Sequence, residues 1–326
     1  MVTSQNDTLF FSFPEVHEDA KCSIRFQRTL RIPDDNREYP LPPGLGAFPL
    51  AHVEDYAEKL PQSWGEHGGV LLPMYQSEAL WINFNSPSDY PFAVKIAVGK
   101  INAVTGKQWK NTLDADEQDY IVLPDQPWLD GICIQKGIIR QFVAMPLGGG
   151  YTVEEQITGQ AEHGGLQILV YPVKKHVYDT IKRVESECRK VACIACASMA
   201  MGLAPGGMMR QEIYEDKYGY DAWEQSVSSR TFVHILNSEQ WHSVTGKEVP
   251  TQPASTEAYT NAGLPWFEYY GEAPALNGSS ILAGLDSVAA KMVKQGKPPM
   301  AGNAAVNPTN IEKLSSRLRK VINGMW

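Results

Sequence analysis

The sequence has none of the short signatures that mark the commonest enzyme and nucleotide-binding families. It contains no G-x-S-x-G segment of a serine hydrolase, no H-E-x-x-H segment of a zinc peptidase and no P-loop. Its one run of three glycines, Gly148–Gly150, lacks the spacing of a dinucleotide-binding fingerprint. These absences exclude the commonest hydrolase and nucleotide-binding classes, but they leave open a catalytic site built from scattered residues.

An export signal and a membrane-spanning run are also missing. Residues 1–20 have neither the basic start nor the long apolar run of a signal peptide. The longest nearly apolar run, Val191–Met201, is too short to cross a bilayer. Cysteine is scarce and odd in number, at five residues, which favours a reducing compartment. We therefore predict a cytoplasmic protein with no membrane partner.

Positive charge is in short supply. The 29 lysines and arginines are outnumbered by 37 aspartates and glutamates, which gives a net charge of −8. Binding to nucleic-acid phosphates needs clustered lysine and arginine, and the sequence has no such patch interleaved with aromatic residues. We therefore predict no nucleic-acid partner. Hydrophobic residues at 43% and charged residues at 20% are typical of a folded globular protein.

Short apolar segments separated by turn residues are abundant in the first half of the chain. Residues 22–27 alternate apolar and polar side chains, which is the pattern of a half-buried strand. Lys136-Gly137 is typical of a hairpin tip between residues 131–135 and 138–142. Such closely spaced strands favour antiparallel pairing. The sequence therefore predicts an α+β fold with a large antiparallel β body, arranged as a sandwich, a barrel or a twisted sheet.

The predicted organisation is one globular domain followed by a tethered helix. The domain covers residues 1–295, with the β body over about 8–173 and a helix-richer part over 174–295. The composition of residues 296–309 indicates a linker. Residues 310–326 have apolar side chains at helical spacing, which predicts a C-terminal amphipathic helix. A helix of this kind is suited to docking on a partner, so we predict self-association through it.

Two segments after residue 185 contain groups that could bind a metal or react. Residues 191–201 predict a buried helix, in which Cys193 and Cys196 match the C-x-x-C pattern. A redox pair needs an exposed cysteine at a helix N-terminus, so a core role for both cysteines is favoured. Residues 202–225 are predicted to be irregular and hold the densest acidic cluster, which fits either a loose metal site or a salt-bridged surface.

The glycine triplet leads into a predicted helix. Thr152 and Glu155 have the spacing of a capping box, so the helix is expected to begin at Val153. Free N–H groups at Gly148–Gly150 and at the helix N-terminus could bind an anion. However, Glu154 and Glu155 already complement the helix dipole, so a plain tight connection is the alternative.

Histidine next to glycine is the clearest candidate for acid–base chemistry. His163 follows Glu162 and precedes two glycines, and His67 precedes two glycines in the same way. A histidine at such a turn can face a cleft and act as a general acid or base. Histidines in turns are equally often solvated and inert, which is the alternative for both.

Candidate site residues follow from these patterns together with nearby charged and aromatic side chains. The predicted catalytic residues are Glu154, Glu155, His163, Arg210 and Glu212, with Asp216 close to the last two in sequence. The predicted ligand-binding residues are Arg140, Gly148, Gly149, Gly150, Trp128 and Asp130. Aromatic residues beside carboxylates can line saccharide or small-molecule pockets, although a core or interface role for Trp128 is the alternative. No metal ligand and no cofactor class is assigned.

Several segments together resemble an uncharacterised family of soluble microbial proteins. They are QRTLRIPDD, PLPPGLG, QPWLDG, IRQFVAMPLGGGYTVEEQITG and GGMMRQEIYED, and the resemblance covers about Pro14 to Leu285. It implies no activity and no functional residues. Two hypotheses follow from the residues themselves. The first is a cytosolic binding or self-assembling protein without catalysis that holds a polar small molecule near the glycine turn. The second is a hydrolase, with or without a metal ion, that acts on a polar small molecule.

Overall fold

The computed structural model describes residues 1–185, 201–269, 271, 273–298 and 300–314. The strands are β1 (Val2–Gln5), β2 (Thr8–Ser12), β3 (Lys21–Thr29), β4 (Glu38–Tyr39), β5 (Gly44–Ala47), β6 (Ala51–His52), β7 (Val70–Met74), β8 (Ala79–Asn85), β9 (Phe92–Val98), β10 (Ile101–Asn102), β11 (Ile121–Leu123), β12 (Trp128–Leu129), β13 (Gly131–Gln135), β14 (Ile138–Met145), β15 (Leu166–Pro172), β16 (Gly202–Arg210), β17 (Ser229–Asn237), β18 (Trp266–Tyr269) and β19 (Ile311–Leu314). The α-helices are α1 (Gln62–His67), α2 (Val153–Thr158), α3 (Lys175–Glu185), α4 (Ser238–Thr245), α5 (Thr256–Asn261), α6 (Ser280–Ala283) and α7 (Val288–Lys294), and short 3-10 helices cover Glu54–Lys59 and Tyr220–Ala222.

Most strands belong to two large sheets. Sheet I has the order β1-β2-β3-β8-β14-β16-β4, with β12 beside β8, β13 beside β14 and β5 beside β3. Sheet II has the order β10-β9-β15-β17-β7-β6, with β11 beside β9. Within these two sheets, pairing is antiparallel except between β16 and β4 and between β17 and β7. Strands β18 and β19 form a separate parallel pair. The α+β fold with a large, mainly antiparallel β body is therefore confirmed.

The two sheets share one apolar core. Phe26 and Ile82 from sheet I are fully buried in the same cluster as Val94 and Ile168 from sheet II. Each fully buried side chain of this size stabilises the fold by about 1.5–3 kcal/mol relative to an exposed one. The strands therefore form because their apolar side chains face a common interior, which is the arrangement that the alternating pattern predicts.

The described helices are short, and side chains cap the N-termini of α2, α4, α5, α6 and α7. Helix α2 begins at Val153 behind the predicted capping box of Thr152 and Glu155, and it ends at Gly159, whose φ of 74° is left-handed. The spacing of the apolar residues from Leu282 to Met292 predicts one longer helix that begins at Ser279 or Ser280. The structure has two helices instead, because Ser279 caps α6 and Ser287 caps a separate helix α7. Within the described ranges, no helix has both the length and the apolar character needed to span a bilayer.

The expectation of irregular structure over residues 202–225 is wrong for its first part. Strand β16 pairs with β14 from Met145↔Gly202 to Ile138↔Arg210 and lies between β14 and the short edge strand β4 of sheet I. Its glycines allow other groups to approach closely. A Cβ at Gly206 would lie 2.4 Å from Val143 Cγ2, and one at Gly207 would lie 2.3 Å from the Pro33 carbonyl oxygen. Glycine is normally a sign of a turn, and here it marks a crowded strand.

The prediction for the C-terminal segment also needs correction. Ile311–Leu314 is strand β19, parallel to β18, and not the start of a helix. Backbone pairing with β18 decides the conformation of these exposed residues, because four residues carry too little helical propensity to resist it. Residues 300–303, expected to belong to a linker, contact the β body, since Asn303 Oδ1 accepts a hydrogen bond from Asp34 N–H at 2.8 Å. The rest of the predicted C-terminal helix, the cysteine pair and nearly all of 191–201 lie outside the described residues.

Candidate functional site

Two adjoining clefts lie where the chain crosses between the sheets. The larger one, here called the main cleft, has a volume of about 1050 Å³. It lies beside the β7–β8 turn, the end of β14, the turn before β15 and the β17–α4 junction. Its principal lining residues are Trp64, Tyr75, Gln76, Ser77, Glu78, Leu147, Glu162, His163, Asn237, Ser238, Gln240, Gln252, Ser255 and Thr256.

The smaller cleft, here called the side cleft, has a volume of about 380 Å³ and lies over the outer face of sheet II. Helix α1 forms one wall, and residues 109–111 form part of the opposite wall. Its principal lining residues are Ser63, Trp64, His67, Lys100, Trp109, Asn111, Glu162, His163, Gln167, Arg230, Phe232 and His234. Trp64, Glu162, His163 and Gly164 line both clefts, so the two clefts adjoin at these residues.

The carboxylate of Glu154 fixes the backbone at this junction. One oxygen accepts a hydrogen bond from Lys100 N–H at 3.2 Å. The other accepts from His163 N–H at 3.0 Å and from Gly164 N–H at 3.4 Å. Gly99 has no side chain to obstruct this contact, since a Cβ there would lie 2.6 Å from a Glu154 oxygen. Glu154, predicted to be catalytic, therefore holds the two turns that place Lys100 and His163.

The neighbouring Glu155 fixes the glycine turn in the same way. Its Oε1 accepts hydrogen bonds from Gly148 N–H at 2.8 Å and Gly150 N–H at 2.9 Å. Its Oε2 accepts from the backbone N–H and the hydroxyl of Thr152. The glycine N–H groups are bonded to the chain's own carboxylate, which fits the alternative of a plain tight connection and not a site for an anionic ligand. Gly148 and Gly150 therefore use their donors internally, and Gly149 contributes its carbonyl to Gln295.

His163 is the predicted catalytic residue that faces both clefts. Its Nε2 atom lies 3.2 Å from Glu162 Oε2, and its side chain is one quarter exposed. His67, the other histidine that precedes two glycines, lines the side cleft. The two histidines that precede glycine pairs, His67 and His163, therefore line the same cleft.

The other predicted site residues lie elsewhere. Arg210 pairs with Ile138, at the opposite end of β14 from Met145 and the glycine turn, so about 23 Å separates them at about 3.3 Å per residue. Arg210 forms ion pairs with Glu38 and Glu268. Together with Glu212 and Trp128, it lines a pocket of only about 10 Å³. The cluster that the hydrolase hypothesis required is therefore not assembled.

Asp130 and Arg140 have structural partners. Gln211 Nε2 donates to Asp130 Oδ2 at 2.6 Å. Burial raises the pKa of Asp130 to about 7, although hydrogen bonds from Gln211 and Trp128 oppose this rise. Arg140 donates to the Gly206 carbonyl oxygen and lies 3.7 Å from an Asp34 carboxylate oxygen. Burial lowers the pKa of Arg140, and Asp34 offsets part of that effect.

The acidic segment near residue 216 is likewise internally bonded. Asp216 Oδ2 accepts from the Tyr120 hydroxyl at 2.8 Å and from Trp223 Nε1 at 2.9 Å. The residues described by the structure contain no group of three or more histidine, cysteine, aspartate or glutamate side chains placed to hold a metal ion. Asp216 therefore accepts hydrogen bonds from aromatic side chains and belongs to no such group.

Aromatic and cationic side chains dominate the side cleft. Trp64 stacks on His234 with ring centroids 4.4 Å apart, and Arg230 lies 5.0 Å from the centre of the Phe232 ring. His234 Nε2 is 2.9 Å from the Gly68 carbonyl oxygen. Burial lowers the pKa of His234 to about 4, so its imidazole is neutral near pH 7 and Nε2–H donates to that carbonyl.

Sequence reasoning missed most of the main cleft. Gln76, Asn237 and Gln252 come from distant parts of the chain, and none belongs to a recognisable motif. The one available signal was the Pro/Thr-rich segment around Gln252, because long loops in compact domains are often functional.

Comparisons of this chain with protein-family models, with curated proteins and with solved structures find no match.

Proposed function

We propose that the protein is a non-catalytic binding protein that holds the neutral, polyhydroxylated part of a small molecule such as a saccharide in the main cleft. The observation that carries this proposal is the lining of that cleft. Its volume, about 1050 Å³, lies at the upper end of the range of ligand pockets, roughly 300–1,000 Å³. Amide and hydroxyl residues outnumber the charged residues in its lining, which also includes Arg31, Glu162 and Glu239. Trp64 and Leu147 supply apolar surface.

Three side-chain amides that line the main cleft are available to a ligand. Gln76, Gln240 and Gln252 are exposed in the cleft. Across the described part of the chain, no side chain or backbone group hydrogen-bonds to their amide groups. Each amide offers two donors and one acceptor oxygen, which matches the mixed donor and acceptor character of sugar hydroxyls. A neutral polyhydroxylated ligand would satisfy them without a charged partner.

Glu78, one of the carboxylates that line the main cleft, is neutralised by an ion pair. Glu78 Oε1 accepts from Arg28 Nε at 2.6 Å, and both side chains are buried. A second hydrogen bond joins Arg28 to the Thr251 carbonyl oxygen, and the Tyr75 hydroxyl donates to the Pro250 carbonyl oxygen at 2.7 Å. These contacts fasten the loop that contains Gln252. The wall is therefore preorganised, which lowers the entropic cost of binding.

The experiment is calorimetric titration with a panel of neutral mono- and oligosaccharides. The double variant Gln76→Ala/Gln240→Ala should bind the tightest of them at least about tenfold more weakly, because two hydrogen-bonding groups are lost. Gln225→Ala, an exposed glutamine outside both clefts, is the matched control and should bind normally. No binding by any panel member, or equal affinity of the double variant and the control, would contradict the proposal.

The rival hydrolase hypothesis has less support. It needs Glu154 and Glu155 as acid and base, whereas both carboxylates accept backbone hydrogen bonds. His163 and Glu162 alone would have to supply the chemistry. A linear release of product from any saccharide of the panel over time would favour the hydrolase over the binding protein.

Self-association and a cytoplasmic location stay predictions. The segment expected to mediate self-association includes Ile311–Leu314, which is an exposed strand, and residues beyond it that are not described. Light scattering of the full chain, compared with a chain ending at residue 310, measures whether that segment joins copies. A monomer in both cases would contradict self-association through it.

A further inference from the structure

The side cleft gathers positive charge in a protein that is acidic as a whole. Lys100 and Arg230 line it, and in the described ranges no carboxylate forms an ion pair with either. The one carboxylate on its wall, Glu162, lies 3.2 Å from His163 Nε2. Two cations against one carboxylate leave the side cleft with a local excess of positive charge. A concave surface with such an excess focuses the electrostatic field, so it attracts an anionic group even when the net charge of the chain is −8.

Neighbouring side chains fix the position of the Arg230 guanidinium. Its Nη1 donates to Asn111 Oδ1 at 3.1 Å, and its guanidinium lies over the Phe232 ring. Asn111 is itself fixed by Trp109 Nε1, which donates to the same oxygen at 2.8 Å. Of the five N–H donors of the guanidinium, those not directed at Asn111 form a planar fork that fits a phosphate group.

The junction joins this charge to the proposed saccharide site. The main cleft carries mostly neutral amides and hydroxyls, and the side cleft carries Lys100 and Arg230. His163 and Trp64 line both, and Glu154 holds Lys100 and His163 through their backbone N–H groups. One ligand with a neutral part and an anionic part would therefore meet matching groups in each cleft.

We propose that the side cleft is a phosphate subsite and that the ligand of this protein is a phosphorylated saccharide. Its sugar would occupy the main cleft and its phosphate would contact Arg230 and Lys100. The assignment of one ligand to both clefts rests on the proposed function. The phosphate subsite itself rests on the side cleft alone, so the two can fail separately.

The test uses the full chain and inorganic phosphate as the probe, titrated by calorimetry at low ionic strength. Wild type should bind phosphate, Arg230→Gln should bind at least about tenfold more weakly, and Arg230→Lys should fall between them. Lys100→Gln should also weaken binding and is an independent variant. Arg37→Gln, an exposed arginine outside the side cleft, is the control. No binding of phosphate by wild type, or equal affinity of Arg230→Gln and Arg37→Gln, would overturn the subsite.

A second arm compares a neutral saccharide with its phosphate ester. In wild type the ester should bind at least about tenfold more tightly, and in the double variant Arg230→Gln/Lys100→Gln the two should bind equally. Equal binding in wild type would overturn the assignment of one ligand to both clefts. Phosphate binding without any saccharide binding would leave the subsite standing and remove the proposed function. Saccharide binding without phosphate binding would support the proposed function and overturn the phosphate subsite.

Discussion

The side chain of Glu154 is 3% exposed, and its carboxylate accepts three backbone N–H groups from two turns. Hydrogen bonds to a charged group stabilise a fold by about 1.5–3 kcal/mol each, and a buried donor left without a partner is unfavourable by a similar amount. A carboxylate in this position therefore stabilises the folded state more than a solvated glutamate does. Its contribution is to place His163 and Lys100.

Replacement of Glu154 tests this role. Glu154→Ala should lower the free energy of unfolding by about 3 kcal/mol, because three N–H groups lose their acceptor. Glu154→Gln keeps one acceptor oxygen and should lose roughly half as much. Urea denaturation measures both, and Glu162→Ala, whose side chain is 56% exposed, is the control. A loss in Glu154→Ala no larger than that in the control would contradict the role.

Asp130 should make stability depend on pH. Its pKa is about 7 in the folded chain and 3.8 in the reference state, because burial disfavours the charged carboxylate. Between these values the folded state binds more protons than the unfolded state, so the contribution of Asp130 to stability falls as pH rises. Asp130→Asn cannot titrate. Its gain in stability over wild type should therefore be larger at about pH 8 than at about pH 5 in urea denaturation. An equal difference at both pH values would contradict the raised pKa.

At the scale of secondary-structure elements, the sequence predicted the features that depend only on neighbouring residues. The capping box at Thr152 and the hairpin tip at Gly137 depend on neighbouring residues alone, and both are in the structure as predicted. Strand β16 could not be predicted in this way. Its glycines are required by Val143 and Pro33, which are distant in sequence. Strand β19 likewise depends on pairing with β18, more than 40 residues earlier.

Two glycine-to-alanine substitutions should have opposite effects on stability. Gly207→Ala would place a Cβ 2.3 Å from the Pro33 carbonyl oxygen, so the strand must shift and stability should fall by about 1–3 kcal/mol. Gly65→Ala, in α1, meets no atom within 4 Å, and it should be neutral or stabilise the fold by about 0.4–1 kcal/mol. Thermal and urea unfolding of both variants measures the difference. Equal effects would contradict the close packing of β16.

At the scale of the whole molecule, the clefts are products of topology. Two of the crossings between the sheets bring turns to the main cleft: Tyr75–Glu78 between β7 and β8, and residues 146–165 between β14 and β15. The sequence did indicate His163, since histidine beside glycine is a local feature. It could not indicate Gln76 and Gln240, because 164 residues separate them and their meeting depends on the parallel pairing of β7 with β17.

The central claim is that the main cleft is the binding site, and hydrogen–deuterium exchange tests it most directly. Exchange is compared with and without a saturating amount of the tightest-binding saccharide or its phosphate ester. The account predicts slower exchange at residues 75–78, 237–240 and 252–256, which line the main cleft. Unchanged exchange in these three segments, with protection of other surfaces under the same saturating conditions, would contradict it.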